Sequence, residues 1–185
     1  DRINSDWIYL SGVNSPKIIL SLMLHTRDNN IKLAFNPSSW ETANTPQIKR
    51  FLGNIEMLFL NKEEAMEFFD THENNITKLL RIGAKKGIKY FIITDGPNGS
   101  ALIHDNKIYQ CGLYEDVEVI ERTGAGDALA SGFLSVVATG GTIEEALTYG
   151  SANSTSVVQH VGGKQGILKS PIKLNEMPIK IELVS

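Results

Sequence analysis

Between positions 123 and 127 the chain reads Thr123-Gly124-Ala125-Gly126-Asp127, two glycines and an alanine running into a carboxylate. It follows Val117-Glu118-Val119-Ile120, expected as a strand, and precedes a stretch of small and apolar residues expected as a helix from about Gly124 to Ala138. The first N–H groups of a helix have no intrahelical partner, and residues this small leave them uncovered, so the segment predicts an anion-binding turn. Asp127 falls in the first helical turn, where the helix dipole favours negative charge. A carboxylate beside such amides can orient and deprotonate a hydroxyl while the amides neutralise charge on a transferring phosphoryl group. The same residues also fit a plain Gly-rich strand-to-helix turn, with Ala128, Ala130, Ser131 and Gly132 kept small for close packing. Spacing alone does not choose between these readings.

Other phosphate motifs fail. A dinucleotide fingerprint starting at Gly124-x-Gly126 wants a small residue at 129, where Leu129 stands, and a P-loop around Gly163-Lys164 has Val158 and Gln165 at its required Gly and Ser/Thr positions. The chain has 185 residues, 42% apolar, with a net charge of −3, enough to bury a sizeable core and without a basic stripe for a nucleic-acid backbone. One cysteine, Cys111, allows no internal disulfide, and no apolar run is long enough for a membrane span, so a cytoplasmic protein is expected. His25, His72, His104 and His160 lack zinc-ligand spacing, and Trp7 and Trp40 read as packing residues. The start at Asp1, without a Met or a signal-peptide pattern, leads us to expect a chain cut from something longer.

The elements that must position Asp127 follow from apolar periodicity. Strands are expected at Trp7 to Leu10, Ile31 to Asn36, Met57 to Leu60 and Tyr90 to Thr94, with helices at Pro16 to Thr26, Thr45 to Leu52, Lys62 to Phe69 and Ile76 to Lys86. Ala101 to Ile103 and Lys107 to Gln110 flank Asp105-Asn106, a hairpin turn whose residues tolerate positive φ. A second long helix is expected at Ile143 to His160. The alternation predicts one α/β domain over 1–185, an open, mostly parallel sheet with helices on both faces.

Three weaker motifs accompany the first. Asn61-Lys62-Glu63-Glu64 follows a strand and is also the pattern of a helix capping box. Thr94-Asp95-Gly96-Pro97-Asn98-Gly99 ends a strand and by itself is a β-turn. Val161-Gly162-Gly163 closes the last helix, where Gly162 fits an ordinary cap. With Thr123 to Phe133, and in this order from about Trp7 to Gly163, the set resembles the ribokinase-like, PfkB-type carbohydrate kinases.

That resemblance implies a phosphotransferase that moves the γ-phosphoryl group of ATP to a hydroxyl of a sugar or sugar acid. Asp127 would be its catalytic base, with the amides of Gly124, Ala125 and Gly126 at the phosphoryl group. It further implies that Asn61 and Glu64 organise Mg²⁺, that Thr94, Gly96, Gly99 and Thr123 shape the nucleotide site, and that Asn153 and Gly162 border the adenine. The family's N-terminal substrate and lid portion is expected to be absent here, and the resemblance leaves room for a homodimer of the longer protein. A nucleoside kinase of the same fold, or a catalytically silent nucleotide-binding fragment, fits the same motifs. Glu121 and Arg122 depart from the family pattern, and the cationic Arg122 argues against a monovalent-cation site in that loop.

Overall fold

The computed structural model describes residues 5–44, 46–114, 117–169 and 181–184. The chain divides into two compact units. The first runs to Thr94 and takes in Ala101–Ile108, and the second comprises Asp95–Ser100 and Tyr109–Val184.

In the first unit, β1 (Trp7–Ser11), β2 (Lys32–Asn36), β3 (Met57–Asn61) and β4 (Tyr90–Thr94) pair in parallel, in chain order. Leu33, Ala34 and Phe35 are all buried, as are Leu58 to Leu60 and Phe91 to Ile93. Successive side chains of a strand point to opposite faces, so both faces of these strands are covered, as the unbroken apolar runs predict. The connections are α1 (Pro16–Asp28), α2 (Ser39–Asn44), a 3₁₀ stretch over Pro46–Asn54, α3 (Lys62–Phe68) and α4 (Ile76–Lys85). Helix α1 starts on Pro16, whose missing N–H costs nothing at that position, and buries Ile19 and Met23, four residues apart on one face. Gly87 lies just beyond α4 at φ 89°, the left-handed stop expected after Lys85 and Lys86.

β5 (Ser100–His104) and β6 (Lys107–Cys111) extend the strand order β1-β2-β3-β4-β5-β6, with β7 (Ile181–Val184) after them. Asp105 and Asn106 between β5 and β6 both take positive φ, 47° and 60°, as a tight two-residue hairpin requires. The sheet is therefore open and mostly parallel, as expected.

Three sequence expectations are corrected. The stretch Thr45 to Leu52 is not an α-helix: it forms the 3₁₀ stretch from Pro46, and Thr45 lies outside the described residues. Ile48 and Leu52 are buried all the same. Val117 to Ile120 is not a strand but an irregular segment in which Val119 and Ile120 are about half exposed. Its end is held by the last turn of a helix, since Ile120 N–H and Glu121 N–H both donate to the Val158 carbonyl, at 2.8 and 3.2 Å. Trp40 is 45% exposed rather than packed inside.

The second unit is built on α5 (Ala125–Ala138) and α6 (Ile143–Val158). They meet at glycines. A β-carbon on Gly132 would stand 3.1 Å from Gly150 Cα, and one on Gly150 would stand 2.8 Å from the Leu129 carbonyl oxygen. Helix α6 opens with a capping box between Thr142 and Glu145. Asn153, 2% exposed, donates from Nδ2 to the Ala128 carbonyl at 2.7 Å and accepts the Leu168 N–H at 2.9 Å, which ties α6 to α5 and to the segment that follows α6.

One buried charge organises the first unit. Glu41 is fully buried, and its Oε1 accepts N–H bonds from Val13 (2.7 Å) and Asn14 (3.0 Å), while Oε2 accepts from Ser38 N–H (2.7 Å) and Ser38 Oγ (3.1 Å). It fastens the loop after β1 to the loop after β2. Truncation would leave three backbone donors without an acceptor, each costing about 1–3 kcal/mol. Glu41→Ala should therefore lower the melting temperature by roughly 5–10 °C, with Glu41→Gln losing less because its carbonyl oxygen still accepts. Thermal denaturation followed by circular dichroism checks this, and a melting temperature unchanged in Glu41→Ala would refute the clamp.

Candidate phosphate-binding turn and strand-end site

The second unit holds the Thr123–Asp127 turn. Gly124 caps α5 in the left-handed region at φ 81°, and its carbonyl accepts the first helical bond from Ala128 N–H at 2.9 Å. A β-carbon on Gly124 would lie 2.6 Å from both Cα and O of Gly163, and one on Gly163 would lie 3.1 Å from Gly124 Cα. The two backbones are in contact, so neither position has room for a side chain. Gly126 is the opposite case, exposed and with nothing within 4 Å of where its β-carbon would be. The start of α5 thus presents a bare backbone to open space, and Asp127 is exposed beside it.

Glu121 holds this turn in place. Its Oε2 accepts the Gly162 N–H at 2.8 Å, and its carboxyl is held below the usual carboxylate range first by the Thr123 hydroxyl bond and then by the Gly162 N–H. Because the folded value is depressed, this tie contributes above the ordinary carboxylate pKa of about 4.5 and is lost as pH falls through the folded value. Gly162, at φ 87°, is the left-handed residue after α6.

The Gly96–Gly99 turn belongs to the same unit. Gly96 and Gly99 have φ of 49° and 85°, and Asp95 N–H donates to the Gly99 carbonyl at 2.8 Å. A β-carbon on Gly99 would lie 3.1 Å from Gly112 Cα, so this glycine too answers to a close backbone. One on Gly96 would lie 3.8 Å from Arg122 Nη1. The structure therefore groups Gly96, Gly99, Gly124, Ala125, Gly126, Asp127, Thr123, Asn153 and Gly162 in the second unit.

Asn61, Glu64 and Thr94 lie in the first unit. Asn61 and Thr94 are register partners at the carboxyl ends of β3 and β4, the edge of a parallel sheet where ligands bind. The capping box is formed: Asn61 Oδ1 accepts Glu64 N–H at 2.7 Å, and Glu64 Oε2 accepts Asn61 N–H at 2.9 Å. Glu64 Oε1 accepts from Ser39 Oγ at 3.0 Å. Among the described residues no three His, Cys, Asp or Glu side chains converge as a metal cage. Burial pushes the Cys111 thiol up to about 11, so it is no nucleophile at neutral pH. No helix among the described residues is long and apolar enough to cross a membrane.

Sequence reasoning missed Ser39, whose partner Glu64 lies 25 residues away, and Glu41, whose partners Val13 and Asn14 lie 28 and 27 residues away; the one local signal was the Ser38-x-x-Glu41 spacing of a capping box. It noticed Glu121 only as an irregularity. The signal was present in its place, two residues before Thr123, and in a side chain one methylene longer than an aspartate.

The chain is 32% identical over 117 residues to an ATP-dependent 6-phosphofructokinase of Thermoanaerobacterium thermosaccharolyticum, covering 62% of this chain and 35% of that one. It is 27% identical over 179 residues to a 2-dehydro-3-deoxygluconokinase of Escherichia coli, covering 86% and 56%. A solved carbohydrate kinase from Agrobacterium tumefaciens superposes with a TM-score of 0.77 at 27% identity, over 98% of this chain and 58% of that one. The chain thus spans between 35% and 58% of the length of these proteins. The model of the pfkB family carbohydrate kinases matches residues 4–169, and this chain belongs to that family.

Proposed function

We propose that this chain carries the nucleotide-binding and catalytic part of an ATP-dependent kinase acting on a hydroxyl of a sugar or sugar acid. The observation that carries the reading is the start of α5, where the side-chain-free backbone of Gly126 and the exposed Asp127 share one turn locked by the Gly124–Gly163 contact. In the reaction, a substrate hydroxyl oxygen forms a bond to the γ-phosphorus as the bond from that phosphorus to the leaving oxygen of ADP breaks. Asp127 accepts the hydroxyl proton. The N–H groups of Gly124, Ala125 and Gly126 neutralise charge on the transferring group, and because they are fixed beforehand they need no reorganisation in the transition state. Gly96 and Gly99 shape the nucleotide site together with Thr123. Gly162 borders the adenine, and Asn153 supports that wall through its bond to Leu168.

Asn61 and Glu64 fit an outer-shell role towards Mg²⁺. Each carboxylate oxygen of Glu64 accepts one protein bond and keeps a further lone pair for a metal-bound water. The metal would supply charge neutralisation along the phosphates.

Two measurements test the reading. In the full-length protein, Asp127→Asn should lower turnover by about 10²- to 10⁴-fold while ATP affinity changes by a few-fold; near-normal turnover would exclude Asp127 as the base. The panel of acceptors in that assay includes sugars, sugar acids and nucleosides, and a nucleoside preference would move the substrate class.

The glycines give a second, paired test by calorimetric titration of the chain with ATP. Gly126→Ala touches nothing, so its melting temperature should stay within about 2 °C while ATP affinity falls. Gly124→Ala combines left-handed strain with a backbone clash, and should destabilise the chain by about 2–4 kcal/mol. Undiminished ATP binding by a folded Gly126→Ala would remove the turn from the phosphate site.

A further inference from the structure

Arg122 immediately precedes the Thr123–Asp127 turn and is exposed. Its Nη1 sits 3.8 Å from the position that a Gly96 β-carbon would occupy, in ordinary contact distance of the Gly96–Gly99 turn. The side chain therefore reaches from the start of one glycine turn to the other. Both turns owe their shape to left-handed residues, Gly96 and Gly99 in one and Gly124 in the other, so the two ends of this reach are fixed by backbone geometry.

Among the described residues no carboxylate forms an ion pair with Arg122. Its chain neighbour Glu121 is the obvious candidate, but that carboxylate is turned to the Gly162 N–H and the Thr123 hydroxyl. A second nearby acid, Asp95, accepts from Asn98 Nδ2 at 3.1 Å within its own turn. An unpaired guanidinium offers a planar fork of N–H donors that matches a phosphate group in two-point geometry, which an ammonium cannot do.

We propose that Arg122 is a phosphate-contacting residue of the nucleotide site, with its guanidinium binding the phosphate tail of ATP between the Gly96–Gly99 and Thr123–Asp127 turns. This rests on the reading of these turns as a nucleotide site and adds to it a side-chain cation that the backbone amides do not supply. Glu121 contributes by being occupied elsewhere. Were it free, it would neutralise Arg122 and repel the phosphates.

The test is calorimetric titration of the chain with ATP, comparing wild type, Arg122→Gln and Arg122→Lys, with melting temperatures recorded for each. Because the side chain is exposed, both variants should melt within about 2 °C of wild type. Arg122→Gln should bind ATP about ten- to a hundredfold more weakly, the effect of losing a charge-assisted contact. Arg122→Lys should recover part of that loss, since it keeps the charge and gives up the fork. An ATP dissociation constant for Arg122→Gln within twofold of wild type overturns the contact alone, as does an Arg122→Lys variant no better than Arg122→Gln. Failure of the wild-type chain to bind ATP would instead overturn the nucleotide-site reading on which the contact rests.

Discussion

The contact between Gly124 and Gly163 sets the terms for the rest of the second unit. Two backbones approach so closely that a single methyl group on Gly124 would fall 2.6 Å from its neighbour, and Gly124 must also hold φ at 81°. Side chains elsewhere in a core can adjust to a small clash by changing rotamer, but a backbone facing a backbone has no such freedom. The start of α5 is thereby locked to the loop that closes α6. The same two helices are brought together again at Gly132 and Gly150. The small residues at the start of α5 therefore serve two purposes that sequence patterning presents as alternatives. Gly124 and Gly132 allow close packing, while Gly126 keeps the helix amides open.

Polar side chains fasten what the glycines permit. Glu121 bridges Thr123 and Gly162, and Asn153 bridges α5 and the segment after α6. In the first unit the fastening is more deeply buried. Glu41 gathers the loops after β1 and β2, and Ser39, in the same short helix, reaches Glu64. A carboxyl group is tolerable inside a protein when N–H and O–H donors replace its lost water, and Glu41 has four such bonds. The cost of burying it is offset by the order it imposes on the ends of parallel strands.

How much of this could be read from residues in order depends on the range of the forces involved. Strands β1 to β4 lie within one residue of their predicted limits, because a doubly covered strand declares itself by a continuous apolar run. The Asp105-Asn106 hairpin was equally plain, since few residues accept positive φ twice in succession. The segment 117–120 misled for the same reason that the strands succeeded. Its residues are β-formers, yet Val119 and Ile120 find no cover, and the segment is pinned instead by the Val158 carbonyl. Trp40 was misplaced in a similar way, since hydrophobicity does not tell which side of a short helix meets the core. The bonds of Glu41 to Val13 and Asn14 and of Ser39 to Glu64 were invisible because those partners are set by the parallel register, which is known only after the sheet has formed, whereas the Ser38–Glu41 bonds follow a local spacing.

The Asn61–Glu64 pair shows why a local pattern with an ordinary structural explanation need not be withdrawn from a site. The capping box forms with both reciprocal bonds, at 2.7 and 2.9 Å, so its role in starting α3 is secure. A carboxylate, however, has about four acceptor positions, and the cap uses one. The Ser39 hydroxyl uses a second, on the other oxygen. These two bonds fix the plane of the carboxyl and leave lone pairs on both oxygens. A side chain held so before any cation arrives loses little entropy when it accepts a bond from a metal-bound water. On that argument the cap does not compete with the proposed Mg²⁺ role. It supplies the rigidity that an outer-shell contact requires, and it explains why an asparagine three residues ahead of the glutamate is the economical way to build both.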